Sequence, residues 1–503
     1  MRWRRLRRYI ASTAALVLGA AGLGAAALAG AAPASAATGC SVTYSVGSQW
    51  GVGFTAAITI TNLGAPLTSW SLGYSYAGNQ QLTQGWSGTW SQSGPNVTVA
   101  NASWNGSLAT NGSTQIGANF GYSGTNTNPT AFALNGVACT GQTTGGSGSG
   151  GGSGSGGGSG TSGPAPQLHV SGNKLLDSAG QPVILRGVDR SGTEYACVQG
   201  NGIFDGEVDQ AAVSAMRSWG INAVRVPLNE ACWNGESYVN AADAGTSYIN
   251  AIKSYVSLLN ANGLVAILDL HWTDGLYTGN SSGCSSAEAT CQKPMPDAAQ
   301  AIPFWSSVAA TFKGNDSVIF DLFNEPYPSR ADNNDSAEGW QCWATGSPCT
   351  GISYPVAGMQ QMINAVRGAG ADNVIMLGGE EYANDLTGWL QYEPTDPDHN
   401  LVASWHSYNF NACSTQACWT SQIAPVIAQV PVIAGEIGEN DCAGSYINPL
   451  TTWLDGQNTS YLAWAWNADF DCSSGPGLIT DYVPGDPTAY GAAYKAHLAS
   501  LGL

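Results

Sequence analysis

The sequence predicts two architectures in one chain: a (β/α)8 barrel preceded by a smaller all-β sandwich. Three observations lead there. Between Gly141 and Pro166 the composition collapses to Gly, Ser, Thr and Pro, a flexible coil with no core to bury. Before this tract, short runs rich in Thr, Val, Ile and aromatics alternate with turn clusters. After it, short apolar runs alternate with longer stretches of helical periodicity. The expected organisation is a leader over 1–36, a β-sandwich over 37–141, a linker over 142–166 and a barrel over 167–503.

The leader reading rests on charge and side-chain size. Arg2, Arg4, Arg5, Arg7 and Arg8 precede an apolar run from Tyr9 to Gly30, which ends in Ala34-Ser35-Ala36. A basic start, an apolar middle and a small-x-small cut site make a secretory signal peptide, and the expected location is extracellular. A membrane anchor is the rival, but the run is rich in Ala and Gly and poor in Leu.

In the first domain the candidate strands are Phe54–Thr61, Trp70–Tyr76, Val97–Ala100 and Gln115–Phe120, punctuated by Asn, Gly, Ser and Pro. In the second, eight runs recur: Val183–Gly187, Ala223–Pro227, Val265–His271, Val318–Asn324, Val374–Gly378, Val402–Tyr408, Val432–Glu436 and Tyr461–Trp466. Val208–Trp219, Ser247–Asn260 and Pro355–Ala369 carry helical periodicity between them. Polar residues gather toward the carboxyl ends of the runs: Arg225, His271, Asn324, Glu325, His406, Tyr408, Glu436 and Trp466. That rim is where such barrels keep their active sites.

Charge narrows the partners. All 34 acidic residues lie at or beyond Asp177, and five of the 16 basic residues lie in the leader, so the remainder carries 11 − 34 = −23 with His neutral. Phosphate backbones and anionic membranes repel such a surface. Residues 38–173 hold no Asp, Glu, Lys or Arg, so the first domain recognises a neutral partner.

Twelve cysteines in an exported chain favour disulfides. Nearest neighbours would pair Cys40 with Cys139, Cys197 with Cys232, Cys284 with Cys291, Cys342 with Cys349, Cys413 with Cys418, and Cys442 with Cys472. Order along the chain leaves other connectivities open. The absence of a CxxC pair argues against zinc.

Glu325 in Phe323-Asn324-Glu325-Pro326 comes just after the fourth run, and Glu436 in Gly435-Glu436-Ile437-Gly438 ends the seventh. A barrel brings both to one face. Two facing carboxyls are what acetal hydrolysis needs, one to protonate the leaving oxygen and one to attack the sugar carbon or activate water. A rim salt bridge is the bland alternative for either glutamate alone. Asp269, Asp321, Glu380, Glu381 and Glu439 read as structural or as supports behind the site residues. Trp233, Trp272, Trp305 and Trp405 are candidates for further sugar contacts, Trp272 the best of them.

From about Leu168 to Leu503 the chain resembles glycoside hydrolase family 5. The match is carried by Val224-Arg225-Val226-Pro227, Asp269-Leu270-His271-Trp272, Asn324-Glu325-Pro326, Trp405-His406-Ser407-Tyr408, Gly435-Glu436-Ile437-Gly438 and Trp464-Ala465-Trp466-Asn467. The resemblance implies a retaining mechanism with Glu325 as acid/base and Glu436 as nucleophile. It implies that Arg225 and Tyr408 hold Glu436, that Asn324 bonds the sugar 2-hydroxyl, and that His271 and His406 orient sugar and glutamates. Trp466 would then be the sugar platform.

Residues 38–140 resemble a family 2 carbohydrate-binding module through the terminal cysteines, Gln49-Trp50, Gln84-Gly85-Trp86, Ala102-Ser103-Trp104-Asn105-Gly106 and Asn126-Thr127-Asn128-Pro129. That resemblance assigns Trp50, Trp86 and Trp104 to a planar strip for a polysaccharide surface. Trp70 reads as core, and Trp90 has no assigned place. The expected function is an endo-β-1,4-glucanase on cellulose, working as a monomer without metal or organic cofactor. A β-mannanase or other β-glycanase, and a non-catalytic cellulose-binding scaffold, are the alternatives.

Overall fold

The computed structural model describes residues 39–143 and 164–503 apart from 51–52, 103, 111, 125, 130, 274–291 and 471–474. The leader, most of the Gly/Ser tract, Cys284, Cys291 and Cys472 lie outside the described residues. The chain divides into two units between Gly148 and Ser149.

The first unit is a sandwich of two five-stranded sheets. One sheet orders its strands Thr140–Thr143, Cys40–Trp50, Gly53–Asn62, Ser113–Gly121 and Gln81–Trp86. The other orders Gly88–Ser93, Asn96–Asn101, Ser71–Ser75, Phe132–Leu134 and Val137–Ala138. Alternate residues of Gly53–Asn62 are buried, because the period-2 pleat turns Phe54, Ala56, Ile58 and Ile60 to the core. Trp70 is core, as its place in the candidate strand Trp70–Tyr76 suggested, although the strand itself begins at Ser71. The Cys40–Cys139 disulfide clasps the ends of the unit.

The second unit is a closed barrel of eight parallel strands in sequence order. They are β1 (Arg186–Asp189), β2 (Ala223–Asn229), β3 (Val265–Trp272), β4 (Val318–Asp321), β5 (Ile375–Gly378), β6 (Leu401–Tyr408), β7 (Val432–Gly438) and β8 (Ser460–Ala463). Every residue of β2 and of β6 is buried, which is why these strands read as apolar runs and not as alternation. The helices that cover the barrel turn one stripe inward. In Thr246–Ala261 that stripe is Tyr248, Ile252, Tyr255, Val256 and Leu259, at the 3.6-residue repeat. Asp209 caps helix Gln210–Ser218 by accepting from the amides of Ala211 and Ala212.

Within the barrel, the inward side chains at one end are apolar, including Ala223, Val265, Ile267, Ile319, Met376 and Ile433. The hairpin Leu168–Ser171/Lys174–Asp177 packs Leu168 and Leu175 into the same cluster and closes that end. Two residues further along three strands the inward positions turn polar: Arg225 after Ala223, Asp269 after Ile267, and Asp321 after Ile319. The site therefore stands on a packed hydrophobic layer.

All eight expected runs are strands, but their ends differ. β4 stops at Asp321 and β8 at Ala463, so Asn324, Glu325 and Trp466 lie beyond their strands. Arg225 is the third residue of β2 and not at its carboxyl end. Cys197–Cys232, Cys342–Cys349 and Cys413–Cys418 are bonded as neighbours, and Cys442 is also disulfide-bonded. The Cys197–Cys232 bond closes a separation of 35 residues and ties the loop after β1 to the helix after β2. Replacing both cysteines with Ala should destabilise the barrel by about 3 kcal/mol, measured as a lowered unfolding midpoint.

Candidate active site

Two strands carry an extra residue where the site forms. On β3, Leu228 of β2 pairs with Leu270 and Asn229 with Trp272, so His271 is the unpaired residue of a bulge. On β7, Trp405 of β6 pairs with Ala434 and His406 with Glu436, so the bulge falls at Gly435. A bulge re-aims the side chains that follow it. Gly435 is also forced by space. A Cβ there would lie 2.6 Å from Ser404 Oγ and 3.1 Å from His406 Nε2. At Gly438 a Cβ would meet the Tyr408 ring at 2.7 Å. The Gly-Glu-Ile-Gly motif is thus a carboxylate flanked by two positions where an added side chain would have to displace Ser404 or Tyr408.

Glu325 adopts a left-handed backbone conformation, with φ of 53°, in the turn that leaves β4. Such a conformation is unfavourable for a non-glycine residue and is held by its surroundings. Asn324 donates its amide to the Leu270 carbonyl at 3.0 Å, anchoring that turn to β3. The two glutamates converge: Glu325, His406 and Glu436 each contribute a side-chain atom, and the three atoms lie within 4.8 Å of one another. Such spacing suits a shared cation as well, but acetal hydrolysis by two carboxyls has no step that needs one.

Their environments differ. Glu436 is buried and accepts from Arg225 Nη1 at 2.8 Å and from the Tyr408 hydroxyl at 2.6 Å. Both hydrogen bonds favour the ionised carboxylate. Glu325 faces His406 Nδ1 at 3.0 Å and accepts from Gln292 Nε2 at 2.6 Å. Burial pushes the Glu325 carboxyl above its ordinary range, against the pull of Gln292. The same burial lowers His271 and His406 to about 3, so both imidazoles are neutral.

Arg225 is the hub. Besides Glu436 it meets Asp321 through Nε at 2.9 Å, Asp189 through Nη1 at 3.1 Å and Asp269 through Nη2 at 3.0 Å, and it donates to Asn324 Oδ1 at 2.8 Å. Burial opposes its charge, but the surrounding carboxyls outweigh that and hold it firmly protonated. With Oδ1 turned to Arg225, Asn324 presents Nδ2 toward His271 Nε2 at 3.5 Å, while His271 Nδ1 meets Asp269 at 2.6 Å. These contacts assign the proton of His271 to Nδ1.

This barrel matches the family model described as Cellulase (glycosyl hydrolase family 5) over residues 176–470. The chain belongs to that family. It is a glycoside hydrolase, and its substrate is a polysaccharide. Residues 40–139 match a second model, Cellulose binding domain. Among relatives, Endoglucanase CelA of Streptomyces lividans is 29% identical over 480 residues, which is 92% of each chain. Exoglucanase A of Cellulomonas fimi is 55% identical over 103 residues, 20% of this chain and 12% of that protein. A mannan endo-1,4-β-mannosidase of Salipaludibacillus agaradhaerens is 23% identical over 317 residues, 60% of this chain and 82% of that protein. The β-glucanase SdGluc5_26A of Saccharophagus degradans shares the fold at a TM-score of 0.52 and 19% identity, covering 67% of this chain and 94% of that one.

The family 5 barrel also corrects the sequence reading. Trp466 is no platform. It is fully buried and packs edge-on against Trp219 at 4.8 Å, because the chain beyond β8 turns its indole outward from the barrel into the helix layer. Trp464, two residues earlier and half-buried, stacks on His271 at 5.3 Å and 15°. The paired tryptophans of Trp464-Ala465-Trp466 give no signal in sequence of which one faces the site. Trp233, Trp305 and Trp405 are core, whereas Trp272 is half-buried beside His271 at 5.9 Å. Glu439 accepts from the amides of Tyr446 and Ile447, Glu380 from that of Ser329, and Glu381 pairs with Arg330. All three serve loops. Gln292 and Asp189 escaped the sequence reading, since neither lies in a motif that bears on catalysis.

In the binding domain, Trp86 and Trp104 are 42% and 71% exposed. Gly117, opposite Trp86 on the neighbouring strand, leaves room for the indole to lie flat: a Cβ there would fall 2.4 Å from the ring. Trp90 lies in the same way over Gly85 and donates to the Trp86 carbonyl at 3.1 Å. Trp50 ends its strand opposite Gly53, and its side chain lies outside the description.

The Gln292 contact favours ionised Glu325. Gln292→Ala therefore raises the Glu325 pKa, and the basic limb of the pH–activity profile should move to higher pH while the acidic limb stays. An unmoved basic limb would separate Glu325 from that limb.

Proposed function

We propose that this protein is a secreted, retaining endo-β-1,4-glucanase that cleaves cellulose by double displacement, with Glu325 as acid/base and Glu436 as nucleophile. The observation that carries the reading is the approach of the two glutamates, with side-chain oxygens within 4.8 Å. Retention needs carboxyls about 5 Å apart, whereas inversion needs roughly 6.5–9.5 Å to admit a water. The asymmetry of their surroundings supports the division of labour. Arg225 and Tyr408 stabilise a charged Glu436, and burial keeps a proton on Glu325.

In the first half-reaction Glu436 attacks the anomeric carbon while Glu325 protonates the leaving oxygen. In the second, Glu325, now a carboxylate beside His406, takes a proton from the water that releases the sugar. Tyr408 and Arg225 receive the charge of Glu436 as it is regenerated. In this reading Asn324 bonds the 2-hydroxyl through Nδ2, supported by the Arg225 contact that occupies its Oδ1. Trp464 and Trp272 provide aromatic faces beside His271, suited to the apolar C–H face of a pyranose.

Cellulose is favoured by the two domains together: an uncharged front domain with exposed tryptophans, and a barrel akin to an endoglucanase over nearly its whole length. Trp50, Trp86 and Trp104 form the strip that grips the polysaccharide surface, the tract over 142–166 is the tether, and 1–36 directs export.

Hydrolysis assays on cellulose, mannan, xylan and mixed-linkage glucan decide the sugar, with activity on the glucans expected; turnover of mannan alone would overturn the assignment. Proton NMR of the nascent reducing end should show the β-anomer first, and an initial α-anomer would exclude retention. Glu436→Ala should lose at least ~10⁴-fold in kcat while keeping the circular-dichroism spectrum of the folded protein. Trp104→Ala and Trp50→Ala should weaken adsorption to insoluble cellulose and leave hydrolysis of a soluble substrate intact. Undiminished adsorption would mean that the strip lies elsewhere.

A further inference from the structure

The floor under Glu436 holds more carboxyls than its one cation can neutralise. Arg225 meets Asp189, Asp269, Asp321 and Glu436 at 3.1, 3.0, 2.9 and 2.8 Å, and none of these side chains is more than 5% exposed. The other titratable groups facing the cluster add no positive charge. His271 from β3 and His406 from β6 are neutral, Tyr408 from β6 is held un-ionised by burial and by Glu436, and Glu325 and the buried Glu194 are acids. Four carboxylates against one guanidinium would leave three negative charges uncompensated in the barrel. An unpaired buried carboxylate costs several kcal/mol and takes up a proton instead.

The hydrogen bonds say which groups keep their charge. Asp269 Oδ2 meets two N–H groups, Nη2 of Arg225 and Nδ1 of His271. Glu436 accepts from Arg225 and Tyr408. Asp189 and Asp321 each offer a single oxygen to Arg225, and their other oxygens, Oδ2 and Oδ1, meet no donor among the described residues. Asp269 Oδ1 is likewise unpaired, but its partner oxygen has the two donors.

We propose that Asp189 and Asp321 are positioning residues held as neutral carboxylic acids: each accepts from Arg225 and fixes the guanidinium, while its positive charge is left to Asp269 and Glu436. Burial drives both carboxyls well above their ordinary range, whereas Asp269, also raised by burial and pulled down by Arg225, reaches about 7. The kinetic consequence rests on Glu436 being the nucleophile; the protonation state does not.

The test is infrared spectroscopy of the full-length protein carrying carbon-13 in its aspartate carboxyls, at pH 7 without substrate. Bands of un-ionised aspartic acid are expected, one vanishing in Asp189→Asn and another in Asp321→Asn. A wild-type spectrum with no such band overturns the proposal whatever the variants do. Kinetics give a second reading. Asp321→Ala removes an acceptor and should lower kcat/KM about tenfold or more through misplacement of Arg225. Asp321→Asn, which restores the acceptor without a charge, should recover most of that loss with the acidic limb of the pH profile in place. A limb displaced to lower pH in the Asn variant would show that a negative charge had been removed beside Glu436, and would also overturn the proposal. If Glu436→Ala retained turnover, the nucleophile reading would fall while the infrared result still stood on its own.

Discussion

A single guanidinium without access to solvent organises this site. Arg225 stands on the apolar layer of the barrel, and its N–H groups face Asp189, Asp269, Asp321, Asn324 and Glu436 from four other strands or the turns that follow them. Removing one member of a buried ionic cluster typically costs about 3–5 kcal/mol because the rest stay desolvated. The cluster is thus a poor source of stability and a good source of position. It fixes where the carboxylate of Glu436 lies and where the amide of Asn324 points, before any substrate arrives.

That fixing is exerted from strands and not from mobile loops. The bulges at His271 and Gly435 each add one residue to a strand, and the side chain at or just after the bulge joins the polar layer above the core. Without a Cβ at Gly435 and Gly438, the side chains of Ser404, His406 and Tyr408 of the adjacent strand close directly on β7. Tight packing of this kind lets burial act selectively. Glu325 gains its raised pKa from the enclosure that also keeps both histidines neutral, while the proposed nucleophile keeps two donors to its charged form.

The two domains use aromatic residues in opposite ways. The barrel sinks Trp219, Trp233, Trp305, Trp343, Trp389, Trp405 and Trp466 into its helix layer, where their area makes core. The sandwich leaves Trp86 and Trp104 in solvent and clears glycine beneath Trp86 so that its ring lies flat. An exposed, flattened indole in a domain without Asp, Glu, Lys, Arg or His suits an uncharged, planar partner, and it is why the proposed strip is read as a polysaccharide grip.

How much of this was legible in the chain differs by kind of residue. The eight strands, the sandwich, the convergence of Glu325 with Glu436, and the family were all readable, because periodicity and order along the chain are properties of the sequence itself. Burial was not. Trp464 and Trp466 are chemically identical and two residues apart, and only the path of the chain after β8 decides that the first meets His271 and the second Trp219. Asp189 and Gln292 lie far from both glutamates in sequence, and three-dimensional closure of the barrel puts them at Arg225 and Glu325. The sequence by itself determined which chemical groups the protein possesses and the order of strands that delivers them. The tertiary structure decided which of those groups lose their water, and with it which carboxyls share one cation, because desolvation depends on what surrounds a group in space and not on its neighbours along the chain.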